Sequence, residues 1–146
     1  MWCNMTNNWP ENLEKIIQEF KDCFDSMERY ELLFEYAKKN PNSLPIEEWD
    51  EENQVLGCQS RAHVECMLDG SDKFLLKTGA DAQIVQGLMA ITAIAVNGLS
   101  AFEVAKLSPN YVEEMGLKSS LTPSRANGFL NMFRRVISEA EVLAEI

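Results

Sequence analysis

The residue with the clearest potential for covalent chemistry is Cys58, which stands in the sequence Gly57–Cys58–Gln59–Ser60. A glycine before a cysteine permits a tight turn that presents the thiol at its tip. Sulfur-transfer and disulfide chemistry both need such access, because a thiolate must attack, or be attacked, in line with a sulfur atom. A buried cysteine that only fills space is the alternative, and these residues alone leave both interpretations open.

The other three cysteines have sequence contexts that favour a structural role or none. Cys23 continues the apolar face of the first predicted helix and is expected to lie in the core. Cys66 shares strand parity with Val64 and Leu68, so it is also expected to face the core. Cys3 lies in a polar N-terminal stretch with no predicted scaffold around it.

A metal site formed by Cys58, His63 and Cys66 is the competing interpretation of the same region. His63 is the only histidine of the chain, so any Cys–His arrangement must use it. If residues 58–66 run as one strand, their ends are about 26 Å apart at roughly 3.3 Å per residue, and His63 faces away from Cys66. The chain has no CxxC pair of the kind that zinc ribbons use. We therefore expect a structural or surface imidazole, and neither a resident metal nor a cofactor.

Hydrophobic periodicity predicts two helices in the N-terminal part of the chain. The first follows Asn8 and carries apolar residues at helical spacing as far as Phe24. The second begins at Asp25, whose spacing to Glu28 is that of a capping box. Pro41 ends it, since the residue before a proline disfavours helical geometry.

The central part of the chain predicts a small antiparallel sheet of about three strands. Residues 41–53, which are rich in acidic side chains, are expected to form a solvated loop. Strand candidates lie at residues 55–56, 61–68 and 73–78, and a turn signal at 69–72 joins the last two into a hairpin. Further helices are expected after the sheet, and the residues that open them are Asp81, Ser100, Ser108 and Thr122.

Composition and charge define the class of protein. The 146 residues are 46% hydrophobic and 25% charged, which is typical of a globular domain. With helices on both sides of the sheet, we expect one compact α+β domain over residues 1–146, with residues 1–8 frayed. A net charge of −10 repels phosphate backbones and anionic lipid, so neither nucleic acid nor a membrane is an expected partner. No signal peptide or spanning run is visible, and we expect a cytoplasmic protein with reduced thiols.

Two charged residues outside residues 57–60, here called the Cys58 segment, are candidates for a supporting role. Asp81 stands where it can cap a helix, and that alone accounts for its presence. Arg125 stands in a first helical turn, where the helix dipole disfavours a cation. It therefore indicates a carboxylate partner nearby or on another protein, although an ordinary surface arginine is an equal alternative.

Three segments of the chain resemble, in order, motifs of the SufE-like sulfur acceptors. Residues 54–60, QVLGCQS, resemble VxGCQS; residues 79–88, GADAQIVQGL, resemble GDSDAxIVxGL; and residues 121–128, LTPSRANG, resemble LTPSRxNG. The resemblance spans roughly residues 27–140. The chain departs from the family at His63, where an aromatic residue is usual, and at Ala80, where serine is common.

The resemblance implies a small antiparallel sheet flanked by helices, a fold also found in IscU-type scaffolds. It implies that the chain accepts persulfide sulfur from a PLP-dependent cysteine desulfurase, stimulates that enzyme, and passes the sulfur to an iron–sulfur cluster assembly scaffold. The chain would then be a sulfurtransferase-type carrier without turnover of its own. Cys58 matches the acceptor, and the positions matched to loop placement or desulfurase docking are Gly57, Gln59, Ser60, Asp81 and Arg125.

A metal-binding or iron–sulfur scaffold that uses Cys58, His63 and Cys66 is the second hypothesis. A carrier needs one accessible thiolate, because the electrophilic sulfur arrives on the donor. A scaffold must instead offer several ligands to iron. A stoichiometric metal in the purified protein would favour the scaffold.

Overall fold

The computed structural model describes residues 9–56, 61–117 and 121–145. Within these ranges it has the predicted α+β architecture. The elements are α1 (Glu11–Lys21), α2 (Ser26–Lys38), a 3-10 turn (Ile46–Glu48), β1 (Ala62–Leu68), β2 (Phe74–Ala80), α3 (Gln83–Val96), α4 (Ala101–Ala105), α5 (Tyr111–Glu114) and α6 (Pro123–Leu143). The predictions for residues 1–8 and for Gly57, Cys58, Gln59 and Ser60 lie outside the described residues.

β1 and β2 form the predicted antiparallel hairpin, in a register that runs from Ala62 opposite Ala80 to Leu68 opposite Phe74. Asp69 shapes the turn, since its Oδ1 accepts hydrogen bonds from the backbone of residues 71 and 73. The even-numbered residues of both strands face the helices, and the odd-numbered residues face the segment 41–53. The structure thus confirms the hairpin and its turn.

The third predicted strand is present in the described residues only as an isolated bridge. Gln54 pairs with His63 in antiparallel fashion. The N–H of Val55 donates to the carbonyl of Ala62 at 2.8 Å, and the N–H of Val64 donates to the carbonyl of residue 53 at 2.9 Å. The pairing is short because the chain turns at residues 51–53 and again at residue 56.

The segment 41–53 is more ordered than a solvated loop. The N–H of Leu44 donates to the carbonyl of Thr78 at 2.8 Å, which places this part of the segment along the free edge of β2. Further along, at residues 53 and 54, the chain pairs with β1, so the segment crosses one face of the hairpin. Trp49 lies on that face and donates from Nε1 to the carbonyl of Leu44 at 2.9 Å. The acidic side chains of residues 47, 48 and 50–52 remain exposed.

α3 is the centre of the core. α1, α2, β2 and α6 all pack against it, so nearly every face of this helix is apolar and buried. Its one buried hydroxyl belongs to Thr92. Thr92 Oγ1 donates to the carbonyl of Leu88 and also lies 2.8 Å from the hydroxyl of the fully buried Tyr111. The helix ends as predicted at Asn97, and Gly98 adopts a φ of 90°.

The prediction for the end of the first helix is wrong. α1 ends at Lys21, so Cys23 lies beyond the helix and is half-buried, and Phe24 is 87% exposed. The cause is the predicted cap of the next helix: the side chain of Asp25 accepts from the N–H of Glu28, whose carboxylate accepts from the N–H of Phe24 at 2.9 Å. Those bonds hold residues 24 and 25 outside helical geometry.

In the part of the chain that the structure describes, no helix has both the length and the apolar composition needed to span a bilayer.

Gly79 permits the close approach of Trp49 to the sheet. A Cβ at this position would lie 2.5 Å from Trp49 Nε1 and 2.7 Å from the carbonyl oxygen of Leu44. We predict that Gly79→Ala lowers the free energy of unfolding by about 1–3 kcal/mol, as overpacking does elsewhere. Gly70→Ala is the matched control, because no atom lies within 4 Å of its added Cβ. Urea unfolding measures both, and equal stability of the two variants would contradict the steric argument.

Candidate functional site

Asp81 binds the residue that follows the Cys58 segment. Its Oδ1 accepts from the N–H of Arg61 at 3.0 Å, and its own N–H donates to the carbonyl of Arg61 at 3.1 Å. The prediction that Asp81 caps a helix is wrong, because Ala82 is the N-cap of α3 and makes no side-chain cap bond. Asp81 instead extends the β1–β2 ladder by one residue pair and fixes the chain where it leaves residues 57–60.

The chain on the other side of Cys58 is held by α6. Arg135 donates from Nη1 to the carbonyl of Gln54 at 3.0 Å and from Nη2 to the carbonyl of Glu52. Sequence reasoning missed Arg135, because its partners Gln54 and Glu52 precede it by 81 and 83 residues in the chain. Residues 57–60 are therefore bracketed by two chain segments, of which one is anchored to α6 by Arg135 and the other is anchored by Asp81, which lies between β2 and α3.

His63 is buried beneath the segment 41–53, with 2% of its surface exposed. Its Nδ1 lies 2.7 Å from Oδ1 of Asn53. That amide is oriented by two backbone contacts, since Oδ1 accepts from the N–H of Asp50 and Nδ2 donates to the carbonyl of Glu48. An oxygen therefore faces the imidazole, and Nδ1 of His63 must carry the proton.

Trp49 stacks on His63 and also contacts the guanidinium of Arg61. The indole and the imidazole stack with centroids 4.7 Å apart and planes 18° apart. The guanidinium of Arg61 lies 4.9 Å from the same indole, within the range of a cation–π contact. His63 thus provides a flat ring that packs beneath Trp49, and Trp49 in turn contacts Arg61, the residue that follows residues 57–60.

The environment of His63 keeps its imidazole neutral. Burial lowers its pKa, and the positive charge of Arg61 lowers the pKa further. With Nδ1 donating to Asn53, Nε2 is a buried acceptor without a hydrogen-bond partner among the described residues. A structural role, one of the two predicted for this residue, fits this arrangement.

The two described thiols are poorly suited to nucleophilic chemistry. Burial raises the pKa of Cys66, and the carboxylate of Glu139 raises it further. Burial also raises the pKa of Cys23, followed by the effect of Glu28. Cys66 packs against the core as predicted, whereas the predicted core position of Cys23 is wrong.

The proposed metal ligands do not converge in the described part of the chain. His63 and Cys66 project from opposite faces of β1, because one position is odd-numbered and the other even-numbered. Across residues 9–56, 61–117 and 121–145, no three His, Cys, Asp or Glu side chains are grouped so that they could hold a metal ion. The third predicted ligand, Cys58, lies outside these residues.

Arg125 lies in the first turn of α6, as predicted. Thr122 caps this helix by accepting from the N–H of Arg125 at 3.3 Å, and Pro123 occupies the first helical position. The residue is half-buried. Asp81 lies between β2 and α3, two residues before α3 begins, and α3 packs against α6, the helix that contains Arg125. The role of the Arg125 side chain stays a prediction.

The neutral, buried state of His63 predicts a pH dependence of stability. Its pKa is lowered in the folded protein, so the unfolded chain binds a proton first as the pH falls. Stability is therefore full above the unfolded pKa of about 6.5 and declines as the pH falls towards the folded pKa. Because the chain has one histidine, its NMR titration follows a single imidazole. His63→Gln should lose this part of the pH dependence, and a titration midpoint above that of an unfolded peptide would contradict the assignment.

Comparison with known proteins identifies relatives of this chain in sequence and in fold. The family model described as SufE, Fe-S metabolism associated domain, matches residues 14–140. An uncharacterized SufE-like protein of Synechocystis is 39% identical over 136 residues, which is 90% of this chain and 81% of that protein. SufE-like protein 1, chloroplastic/mitochondrial, of Arabidopsis thaliana is 30% identical over 90% of this chain and 35% of its own length. The solution structure of a hypothetical protein from Thermus thermophilus has the same fold, with a TM-score of 0.78, 24% identity, and coverage of 94% of this chain and 99% of that chain. The chain belongs to the SufE family, which is associated with iron–sulfur metabolism.

Proposed function

We propose that this protein accepts sulfur from a cysteine desulfurase on Cys58 and delivers it to an iron–sulfur cluster assembly scaffold. The observation that carries the proposal is the bracketing of residues 57–60 by two anchored chain segments. Asp81 holds Arg61 on one side, and Arg135 holds Gln54 on the other. Anchored flanks restrict where a reactive thiol between them lies, which favours its alignment with a donor sulfur.

The reaction is a transfer of sulfane sulfur between two cysteines. The Cys58 thiolate attacks the outer sulfur of the donor persulfide, a new S–S bond forms on Cys58, and the donor cysteine leaves as a thiolate. No electrons are gained or lost overall, so no oxidant or reductant is consumed. PLP chemistry belongs to the desulfurase, and this chain contributes the acceptor thiol and its placement.

The state of the other thiols supports the choice of Cys58. Attack requires a thiolate, and its population falls as the pKa rises. Burial and neighbouring carboxylates raise the pKa of both Cys23 and Cys66. Cys3 lies outside residues 14–140, which the family model matches. Cys58 is therefore the cysteine to which we assign the acceptor role.

Arg125 is our candidate for desulfurase docking. A guanidinium forms two parallel hydrogen bonds with a carboxylate, which a lysine reproduces poorly. The protein carries a net charge of −10, so its long-range field attracts a basic partner. An arginine at the contact adds a charge of opposite sign, which fixes the orientation of the partner more than it adds general attraction.

Cys58→Ser should abolish sulfur acceptance. The assay is intact-mass analysis after incubation with a cysteine desulfurase, PLP and cysteine, in which the wild-type chain gains the mass of sulfur. Cys23→Ser and Cys3→Ser are the matched controls and should accept sulfur at the wild-type rate. A persulfide that maps chiefly to Cys3 or Cys66 would refute the assignment, and stoichiometric bound metal would support the scaffold function instead.

Arg125→Ala should weaken desulfurase binding by about 2–5 kcal/mol, the typical loss when one member of a desolvated ion pair is removed. Calorimetric titration with the desulfurase measures the affinity, and thermal unfolding separates docking from a purely structural role. Glu51→Lys, in the exposed acidic segment, should have a smaller effect that disappears at high salt. Unchanged binding and unchanged stimulation of the desulfurase by Arg125→Ala would exclude the docking role.

A further inference from the structure

The carbonyl of Gln54 lies at an outer sheet edge. Residues 53 and 55 make the backbone bonds to β1, so Gln54 is the non-hydrogen-bonded partner of His63 and its own carbonyl points away from that strand. Such an edge carbonyl ordinarily bonds water or another strand. Here a side chain from a distant helix takes that place.

Arg135 occupies this edge with all of its nitrogen positions engaged. Nη1 and Nη2 donate to the carbonyls of Gln54 and Glu52, and Nε donates to the carboxylate of Glu139, one turn further along α6. Met132 and Val136, on either side of Arg135 in the same helix, are buried in the core. The backbone of Arg135 is therefore fixed by the packing of α6 in the core, and its guanidinium is oriented by the carboxylate of Glu139.

We propose that Arg135 is a positioning residue for the sulfur-accepting cysteine. It fixes residues 52–54, which precede Cys58 by four to six positions, while Asp81 fixes Arg61, which follows it by three. The inference rests on the proposed function of Cys58. The planar fork of an arginine suits two neighbouring carbonyls, and a lysine in its place provides a single point charge.

The first test compares Arg135→Ala, Arg135→Lys and a matched control. Arg134→Ala removes the same charge from the neighbouring position of α6, where the side chain is exposed. Persulfide formation on Cys58 is followed by mass spectrometry against desulfurase concentration, well below the melting temperature of every variant. We expect Arg135→Ala, which removes both hydrogen bonds to the backbone of residues 52–54, to lower the maximal rate about tenfold or more, with the half-saturating concentration unchanged. Arg135→Lys should fall between, and Arg134→Ala should match the wild type.

A maximal rate for Arg135→Ala equal to that of Arg134→Ala would overturn the proposal. A change confined to the half-saturating concentration would also overturn it, because that pattern indicates docking. A change confined to the melting temperature would overturn it as well, because it indicates a purely structural contact.

The second test does not depend on the desulfurase. Amide hydrogen exchange at Val55 and Val64 reports the pairing that Arg135 supports, and alkylation of Cys58 by iodoacetamide reports the placement of the thiol. Arg135→Ala should speed exchange at both amides about tenfold and change the alkylation rate, whereas Arg134→Ala should change neither. If the wild-type chain accepts no sulfur, the proposed function fails. These two measurements still show whether Arg135 stabilises the pairing of residues 53–55 and the placement of the Cys58 thiol. Exchange and alkylation that match those of Arg134→Ala would refute the inference.

Discussion

The pair of hydrogen bonds between Asp81 and Arg61 is the constraint on which the site depends. It closes the sheet ladder beyond Ala62 and Ala80, and it joins the start of α3, the central core helix, to the residue that follows the Cys58 segment. From Arg61 the order extends along β1. The guanidinium of Arg61 lies over Trp49, and Trp49 stacks on His63. His63 then holds Asn53, whose backbone pairs with β1 and leads back towards Cys58. The contacts from Asp81 to Asn53 thus form one connected series of hydrogen bonds and ring contacts.

A division between rigid support and reactive chain follows from this arrangement. The backbone before Cys58 is held by a guanidinium, and the backbone after it is held by a carboxylate, so neither anchor requires a side chain of the Cys58 segment itself. Those anchors come from α6 and from the start of α3, which pack on each other in the core. Under the proposed function, the sulfur atom is therefore gained and lost on a segment whose flanks are held by contacts outside it.

Local signals predict the hairpin and most of the helices, but neither the end of α1 nor the two anchors beside residues 57–60. The capping residues Asp25, Ser100 and Thr122 were predictable because each bonds a backbone N–H three residues away. Asp81 has the same residue type at a similar place, and the same rule gave the wrong partner. Its carboxylate bonds Arg61, twenty residues earlier in the chain, because tertiary pairing outweighs the local cap. No local pattern indicates the contacts that Arg135 makes with residues 52–54. The acidic residues of the segment 41–53 predict a solvated loop, and they are indeed exposed, but Trp49 of the same segment packs against the sheet. The family motif implies a loop-placing or docking role for Asp81, and that role stays a prediction.

The acidic composition also bears on which cysteine can act. Glu139 raises the pKa of Cys66, and Glu28 raises that of Cys23, in each case after the larger effect of burial. Arg135 lowers the pKa of Cys66 and Arg29 lowers that of Cys23, but each of these effects is smaller than those of burial and of the nearest carboxylate, so both pKa values remain raised. A carrier with several competent thiols would distribute sulfur among them, and a neighbouring thiolate that attacks the inner sulfur of a persulfide would form a disulfide and displace hydrosulfide. Keeping the described thiols protonated removes both outcomes. Under the proposed function, the carboxylates near Cys23 and Cys66 therefore favour transfer through Cys58 alone.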